Sequence, residues 1–288
     1  MNDQAQSLRN LVNARTGVKR AARILTVTSG KGGVGKSNFT LNFALTLQRQ
    51  GYRVLIFDAD IGLANIDVLM GVTPKYNLYH LLKREKTLKE IVHTGPEGLQ
   101  FIAGGSGFTE LVRLSEEELE HFVSQIAGLS DEMDYILFDT GAGLSKETLK
   151  FIMAADETIV VTTPEPTAIT DAYAIIKMVN SMQAQAAFRL VVNRVASEKE
   201  GRQTADKIRL AASRFLGLQI PVLGCVQDDD HVTKAVRKQV PFTIAYPASA
   251  ASRCMQRIVD NYLGGRTAEA IPPGNFRGFL NRMMKWWS

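Results

Sequence analysis

A glycine-rich stretch, TSGKGGVGKS (residues 28–37), directly follows the apolar run ILTV and precedes a segment with helical spacing. Residues 30–37 fit the pattern G-x-x-x-x-G-K-[ST], whose glycines let backbone N–H groups wrap phosphates. In this pattern Lys36 reaches the β- and γ-phosphate oxygens and Ser37 ligates Mg²⁺. The stretch predicts a nucleoside triphosphate site lined by Gly30, Lys31, Gly32, Gly33, Val34, Gly35, Lys36, Ser37 and Asn38.

The other lysine of this loop, Lys31, is not required by the ordinary pattern. Two cations this close repel each other unless an anion offsets the charge. One use for Lys31 is to neutralise phosphate charge on a second copy of the protein, as an arginine finger does in trans. The loop therefore predicts a homodimer whose two nucleotide sites are shared between subunits.

Acidic and amide side chains follow other strand-like runs. Asp58 and Asp60 close IFDAD, and residues two apart in an extended backbone face the same side. Asp139 closes the apolar run YILFD, where a charge is costly unless it is paired or metal-bound, so we expect it to hold Mg²⁺ through water. Asn193 in VVNRV and Asp228 in VQDDD are candidates for contacts with the base, or plain turn residues.

The elements that must position these residues alternate between β and α patterns. Seven β-branched runs are separated for the most part by helical segments at 37–49, 115–126, 170–182 and 203–215. The pattern predicts an α/β fold with a mostly parallel, doubly wound sheet, in which ligands bind at the carboxyl ends of strands. In TTPEPTAITDAY, Pro164 and Pro166 are expected to end a strand, and Thr170 to cap the next helix. The predicted strands are RILTVTS, YRVLIFDAD, LQFIAGG, DYILFDTGAG, ETIVVTTPEP, FRLVVNRV and IPVLGCV.

Composition limits the classes of function. The chain has 288 residues, 45% hydrophobic content and a formal charge of +5, of which residues 1–23 carry +4 and residues 264–288 carry +3, which leaves −2 for the body. Basic tails favour contact with a membrane surface or a partner, and the slightly acidic body argues against specific nucleic-acid binding. Cys225 and Cys254 form no C-x-x-C pair. Without a signal peptide or a spanning apolar run, we expect a cytoplasmic protein.

The loop KGGVGKS resembles the deviant Walker A motif of the MinD/ParA ATPases, and the resemblance covers most of residues 24–263. It implies a P-loop NTPase fold, ATP and Mg²⁺ as cofactors, and slow ATP hydrolysis in a dimer that dissolves after hydrolysis. By this resemblance Lys31 crosses to the partner's nucleotide and Asp60 orients the attacking water. Ser37, Asp58 and Asp139 hold the Mg²⁺ shell, and Asn193 contacts adenine.

Two residues depart from this family pattern. Gly141 stands where the family usually has proline, in the loop after Asp139, and Gln227 stands where relatives carry a proline before an acid, here Asp228. The first departure is expected to loosen the loop, and the second weakens the assignment of Asp228 to the base site.

The last fourteen residues, NFRGFLNRMMKWWS, form an amphipathic pattern after the helix-breaking segment IPPG. Arg277, Arg282 and Lys285 lie opposite an apolar stripe, and no acidic residue is present. Aromatic residues with a basic face suit an anionic membrane surface, although a core-facing helix is the alternative. We predict a linker at 264–274 and a membrane-targeting helix at 275–288 that uses Phe276, Phe279, Leu280, Met283, Met284, Trp286 and Trp287.

The N-terminal segment DQAQSLR resembles the activating motif of the FlhG group (FleN, YlxH) of flagellar-number regulators within this family. It implies that residues 1–23, through Asp3, Gln4, Leu8 and Arg9, stimulate the SRP-type GTPase FlhF, and that components of the flagellar switch complex are further partners. A frayed helix without function is the alternative.

The predicted protein is a membrane-associating ATPase on the inner face of the cell membrane that regulates flagellar number and placement. The alternatives are a MinD-like cell-division ATPase, a ParA-type DNA partition ATPase, a nitrogenase-like reductase with a cysteine-bound cluster, and an adaptor that binds ATP without hydrolysis. The near-neutral body counts against a DNA partition ATPase, and the spacing of the cysteines counts against a cluster-binding reductase. The presence of both Asp60 and Asp139 counts against an adaptor that does not hydrolyse ATP.

Overall fold

A computed structural model of the chain describes residues 21–60, 65–104, 107, 116–182, 186–265 and 276–285. At its centre lies an eight-stranded sheet with the order β3-β4-β2-β5-β1-β6-β7-β8. All neighbouring strands are parallel except β3, which pairs antiparallel with β4 at the edge. The strands are β1 Arg23–Ser29, β2 Val54–Ala59, β3 Val92–Thr94, β4 Gln100–Ala103, β5 Tyr135–Ala142, β6 Glu157–Thr162, β7 Phe188–Val195 and β8 Val222–Gln227.

The predicted α/β class and all seven predicted strands are confirmed. Every residue of β1, β2 and β6 is buried, because helices cover both faces of the central strands and leave no polar side. The edge strand β3 was missed, since the three residues VHT are too short and too polar to give a strand signal.

Helices cover both faces of this sheet, and two of them begin about one turn earlier than the sequence predicted. Helix α7 begins at Pro166, not at Thr170, because a proline suits the first helical position as well as it ends a strand. Helix α8 begins at Glu198, where the Ser197 hydroxyl accepts from the Glu200 amide. The helices of the described residues are α1 Lys36–Arg49, α2 Ile66–Met70, α3 Leu78–Leu82, α4 Leu88–Ile91, α5 Glu116–Ser130, α6 Lys146–Ala154, α7 Pro166–Ser181, α8 Glu198–Leu216, α9 Asp230–Arg237, α10 Phe242–Ala245, α11 Ala250–Gly264 and α12 Phe276–Lys285. None of these helices is long and apolar enough to cross a bilayer.

The two faces of the central strands carry different cores. Helices α1 and α11 pack on the face to which Ile56 and Leu137 point, whereas α5, α6 and α12 pack on the face of Phe57 and Phe138. Because side chains alternate along a strand, Asp58 and Asp139 return to the α1 face. The sheet therefore presents its acidic residues to the glycine-rich loop and its aromatic rings to α12.

The C-terminal helix α12 lies against the body in this structure and forms part of its core. Phe276, Phe279, Leu280 and Met283 are buried, and the Phe279 ring stacks on Phe138 with 4.7 Å between the ring centroids. The apolar stripe thus takes the alternative, core-facing placement, with Met284 half-buried at its margin. Trp286 and Trp287, and the linker expected at 264–274 beyond residue 265, lie outside the described residues.

A charged contact holds the end of α12 to the sheet. The Arg282 guanidinium donates to the Ala154 carbonyl at 2.8 Å and to Asp156 Oδ1 at 3.1 Å. The other carboxylate oxygen of Asp156 accepts from the backbone amide of Ile24 in β1, at 2.9 Å. Asp156 therefore links the C-terminal helix to the strand that leads into the glycine-rich loop.

Candidate nucleotide-binding site

The glycine-rich loop joins β1 to α1 at the centre of the sheet, as the sequence predicted. Gly35 has φ 90° and forms the N-cap of α1, and a Cβ at this position would lie 2.5 Å from Asn193 Nδ2. The same amide nitrogen donates to the Val34 carbonyl at 2.8 Å. Only glycine combines this left-handed backbone with so close a neighbour, so the loop and the end of β7 are fixed to each other.

The start of the loop is fixed against helix α7. A Cβ at Gly30 would lie 2.3 Å from the Asp171 carbonyl carbon and 2.6 Å from the Ala172 nitrogen. These are rigid backbone atoms, so a side chain at this position would separate the loop from α7. Gly30 therefore lets the backbone of α7 approach the loop closely.

A buried ion pair lies beneath the loop. Lys36 Nζ lies 3.0 Å from Asp139 Oδ1, and the two side chains are 7% and 0% exposed. The Thr40 hydroxyl donates to the same oxygen at 2.8 Å. Sequence reasoning missed Thr40, although its position one turn after Lys36 on α1 was a usable signal. The Asp139 carboxylate therefore holds Lys36 near the ends of the central strands.

Asp58 lies beside Asp139, because β2 and β5 pair these two residues in register. Its carboxylate accepts from the backbone amides of Asp60, Asn65 and Ile66 at 3.3, 3.0 and 3.1 Å. Burial, followed by the charge of Asp139, raises the pKa of Asp58 to about 7, against the lowering effect of the three amides. The site thus contains two adjacent carboxylates whose joint ionisation is unfavourable without a further cation.

The carboxylates fit a hydrated divalent cation. Asp139 Oδ2 is buried and has no hydrogen-bond partner among the described residues. Together with the Ser37 hydroxyl and Asp58, this oxygen offers the hard ligands that Mg²⁺ prefers. No group of three or more His, Cys, Asp or Glu side chains in the described part of the chain can hold a metal ion unaided. Mg²⁺ keeps several waters and is bound mostly through substrate phosphates.

Asp60 lies at the edge of the same site. It is half-buried, and a Cβ at Gly141 would lie 3.6 Å from its Oδ1. The end of β5 therefore comes close to Asp60, and Gly141, which has no side chain, leaves room between them. Residues 61–64, which continue from Asp60, lie outside the described residues.

A cavity of about 340 Å³ opens beside the loop and suits a nucleoside. The structure brings four predicted residues, Gly35, Asn38, Asn193 and Asp228, together in its wall. One amide hydrogen of Asn193 is donated to Val34, and within the described part of the chain its oxygen and second hydrogen are left for a ligand. Phe39, Phe242 and Met255 supply apolar surface to the same wall.

Lys31 points away from this buried site. Its Nζ lies 2.8 Å from Glu165 Oε2 and 3.1 Å from Thr167 Oγ1 at the start of α7, and its side chain is 42% exposed. Lys31 thus has an anionic partner that offsets its charge, as expected for a second lysine in this loop. The partner, however, is a carboxylate of the same chain. Neither Glu165 nor Thr167 was predicted, because a contact 134 residues away in sequence leaves no local signal.

Comparisons with known proteins agree with this geometry. The family model ParA, described as "NUBPL iron-transfer P-loop NTPase", matches residues 20–263. The flagellum site-determining protein YlxH of Helicobacter pylori is 38% identical over 295 residues, which covers 99% of this chain and 99% of that protein. The antiactivator FleN of Pseudomonas aeruginosa is 35% identical over 269 residues, covering 93% of this chain and 96% of FleN.

A solved structure shares the fold. The septum site-determining protein MinD of Pyrococcus horikoshii, complexed with Mg-ADP, superposes with a TM-score of 0.66 and 22% identity. The match covers 85% of this chain and 98% of that chain. At this level of identity the likeness concerns the fold, which is the mostly parallel sheet described above.

The raised pKa of Asp58 predicts a pH dependence of stability. The pKa of Asp58 is 3.8 when the carboxyl is exposed and about 7 in the folded protein. Between pH 3.8 and about 7 the folded protein therefore keeps a proton that the unfolded chain has released. The contribution of this proton to the free energy of unfolding is fully present below pH 3.8 and is lost as the pH rises through about 7.

We therefore expect Asp58→Asn to gain stability relative to wild type as pH rises from about 4 to about 7, and the difference to stay level above pH 7. Melting temperatures of both proteins without nucleotide, measured across this range, test it. A constant offset from lost hydrogen bonds does not alter the slope. A difference that stays flat through the whole range would contradict the placement of Asp58.

Proposed function

The chain belongs to the ParA/MinD family of P-loop NTPases and is an ATPase by that membership, and we propose that it acts as an ATP-dependent switch setting the number and placement of bacterial flagella. The observation that carries this proposal is the similarity, over nearly the whole length, to the flagellum site-determining protein YlxH, alongside the antiactivator FleN. The nucleotide site supplies the switch.

ATP binding would rearrange the buried ion pair. Lys36 would leave Asp139 for the β- and γ-phosphate oxygens, and Asp139, Asp58 and Ser37 would then be the residues that hold the Mg²⁺ shell. Mg²⁺ supplies charge neutralisation on the phosphates. Asp60 lies next to this pair and accepts a hydrogen bond from the attacking water. Hydrolysis stays slow in one subunit, because the chain's remaining loop cation, Lys31, points away from its own site.

The dimer supplies what the single subunit lacks. We place Lys31 of each subunit against the partner's phosphates, where its charge offsets the charge that develops during transfer. Its exposure at the surface of the loop supports this role, since an ammonium meant for the same subunit's nucleotide would point inward as Lys36 does.

We expect Lys31→Ala to bind nucleotide yet remain monomeric and inactive, because Lys36 and the backbone of the loop remain. Asp60→Ala should bind ATP and accumulate as a dimer, because it lacks the group that orients water. Sedimentation in ATP and in ADP, together with phosphate release, measures both, and Lys207→Ala on α8 is a matched control. Normal ATP-dependent dimerisation of Lys31→Ala would refute the role in trans.

Helix α12 is the proposed membrane element. Each of its buried apolar side chains contributes about 1.5–3 kcal/mol relative to exposure, so release into water alone is unfavourable. Transfer into the boundary of an anionic bilayer replaces one apolar environment by another, and Arg277, Arg282 and Lys285 each add about 1 kcal/mol near the surface. Two helices on one dimer then bind about 10²- to 10⁴-fold more tightly than one.

Undocking of α12 must break the Arg282–Asp156 contact, which gives a test. Asp156→Asn keeps an oxygen for the Ile24 amide but removes the charge facing Arg282. We expect this variant to co-sediment with phosphatidylglycerol vesicles several-fold more than wild type in the absence of ATP, and wild type to bind mainly with ATP. Asp206→Asn on α8 is the control.

A second substitution separates undocking from insertion. Phe279→Glu removes both the stacking on Phe138 and the apolar surface, so it should not bind vesicles in any nucleotide state. Blue-shifted fluorescence of Trp286 and Trp287 reports insertion directly. Equal co-sedimentation of wild type, Asp156→Asn and Phe279→Glu would end the membrane proposal and leave α12 as a core helix.

Residues 1–23 form the proposed contact with an FlhF-like GTPase; of these, only residues 21–23 are described. We expect a peptide of residues 1–23, and the full chain, to accelerate GTP hydrolysis by such a GTPase, and the double change Gln4→Ala with Arg9→Ala to weaken both. Phosphate release at saturating peptide measures the effect. No stimulation by either form would remove this partner from the proposal.

The runner-up function is a MinD-like role at the division site, supported by the fold shared with MinD. The two functions differ in the partner that responds. Stimulation of an FlhF-like GTPase and binding of flagellar switch-complex components favour the flagellar role. In either case the protein works in the cytoplasm and, with ATP, at the inner face of the cell membrane.

A further inference from the structure

A buried amide, Asn42, lies one turn beyond Asn38 on α1 and has no exposed surface. Its Oδ1 accepts from the backbone amide of Thr243 at 3.0 Å and from the Thr243 hydroxyl at 2.9 Å. Its Nδ2 donates to the backbone carbonyl of Asn38 at 2.8 Å and to Asn38 Oδ1 at 2.9 Å. The Asn42 amide thus uses both of its donors and both acceptor positions of its oxygen.

One backbone group fixes the direction of every hydrogen bond in this network. Thr243 is the second residue of α10, so its N–H has no carbonyl partner within that helix, and an N–H can only donate. The Asn42 atom that accepts from it must therefore be the oxygen, and the atom that faces Asn38 must be the nitrogen. Asn38 must in turn offer its own oxygen to Asn42.

The network leaves one part of the Asn38 amide for a ligand. Asn38 is half-buried and lines the cavity of about 340 Å³ beside the glycine-rich loop. Its Oδ1 is engaged by Asn42, whereas its Nδ2 has no hydrogen-bond partner among the described residues. A purine nucleoside offers acceptors that would match this nitrogen, such as the ring nitrogens N3 and N7. The structure thus gives Asn38 donors, rather than an acceptor, for the nucleoside.

We propose that Asn42 is a positioning residue for nucleotide binding, which orients the Asn38 amide so that its N–H groups face acceptor atoms of the nucleoside. Asn42 does not contact the ligand, because it has no exposed surface, and it acts through Asn38. The first turn of α10 supplies the reference for this orientation, although it is 201 residues away from Asn42 in sequence. The proposal rests on nucleotide binding at this site and not on the flagellar role.

The substitution Asn42→Asp should reverse the network. The introduced carboxylate still accepts from Thr243 but has no hydrogen to donate, so the Asn38 amide turns its N–H groups towards the carboxylate and its oxygen towards the cavity. That oxygen would then face acceptors of the nucleoside. We expect ATP to bind about 5- to 150-fold more weakly, which is the usual effect of replacing a hydrogen bond by an unpaired polar group.

A second substitution, Asn42→Leu, removes the constraint without reversing it. Leucine is close to asparagine in size, and it leaves Asn38 free to take either amide orientation. We expect ATP to bind about 2-fold more weakly, because about half of the molecules then have the wrong orientation. This variant also carries the test if Asn42→Asp fails to fold.

The matched control is Thr243→Val. It removes the hydroxyl that donates to Asn42 but keeps the backbone N–H, which is sufficient to set the orientation. Because the change perturbs the same buried network, we expect a lower melting temperature and an unchanged affinity for ATP. If Asn42 were only a structural residue, ATP affinity would fall with stability in all three variants.

Isothermal titration calorimetry with Mg²⁺ measures the dissociation constants of a non-hydrolysable β,γ-imido analogue of ATP and of tripolyphosphate, which lacks the nucleoside. The full chain is used at mildly alkaline pH, where the introduced carboxyl is ionised, and melting curves show that each variant folds. We expect Asn42→Asp to lose affinity for the ATP analogue but not for tripolyphosphate. In the Asn38→Ala background, Asn42→Asp should have no further effect, and this comparison decides alone if tripolyphosphate binds too weakly to measure.

The outcomes separate the role of Asn42 from the site itself. Unchanged affinity for the ATP analogue in both Asn42→Asp and Asn42→Leu overturns the positioning role and leaves the nucleotide site intact. An equal loss for both ligands, or a loss that persists in the Asn38→Ala background, overturns it as well, because Asn42 then acts on the loop as a whole. A wild type that binds neither ligand overturns the nucleotide site and the positioning role together.

Discussion

Two carboxylates placed side by side at the ends of the central strands are the constraint on which the site depends. Parallel pairing of β2 with β5 sets Asp58 opposite Asp139, and helices on both sides of the sheet exclude water from them. Lys36 and Thr40 contact Asp139, and three backbone amides donate to Asp58, but Lys36 supplies the cation that faces the pair. The rest of the site follows from this: the glycine loop must bring Lys36 over the strand ends, and a metal-bound phosphate group is the ligand that relieves the remaining charge.

The same strands connect this site to the C-terminal helix. Phe57 and Asp58 are consecutive, as are Phe138 and Asp139, and consecutive residues of a strand face opposite sides of the sheet. Phe276 and Phe279 therefore stack on rings that are one residue from the carboxylates. Asp156 adds a second link, from Arg282 to the strand before the loop. A displacement of β2 or β5 that moves the carboxylates on one face therefore also moves the rings that contact α12 on the other face.

Local pattern was enough to predict seven of the eight strands, the glycine loop and the carboxylates, because each depends on residues adjacent in the chain. It failed where one signal fits two structures. Pro166 can end a strand or begin a helix, and only packing against Gly30 decides for the helix. The apolar stripe from Phe276 to Met283 suits either a membrane surface or a protein core. In this conformation it packs on the aromatic rings of β2 and β5, so α12 is part of the core. The partners of Lys31 and Arg282 are distant in sequence and leave no local trace.

The position of α12 also affects how the molecule is made. During synthesis the sheet, including β5, leaves the ribosome before Phe276, Phe279 and Met283 do, and until then the rings of Phe57, Phe138 and Phe151 lack their cover. Exposed aromatic surface on a nascent chain promotes aggregation and attracts chaperones. Helix α12 therefore completes this side of the core after the sheet has formed, and a chain truncated before Phe276 would keep the candidate site residues but leave these rings exposed.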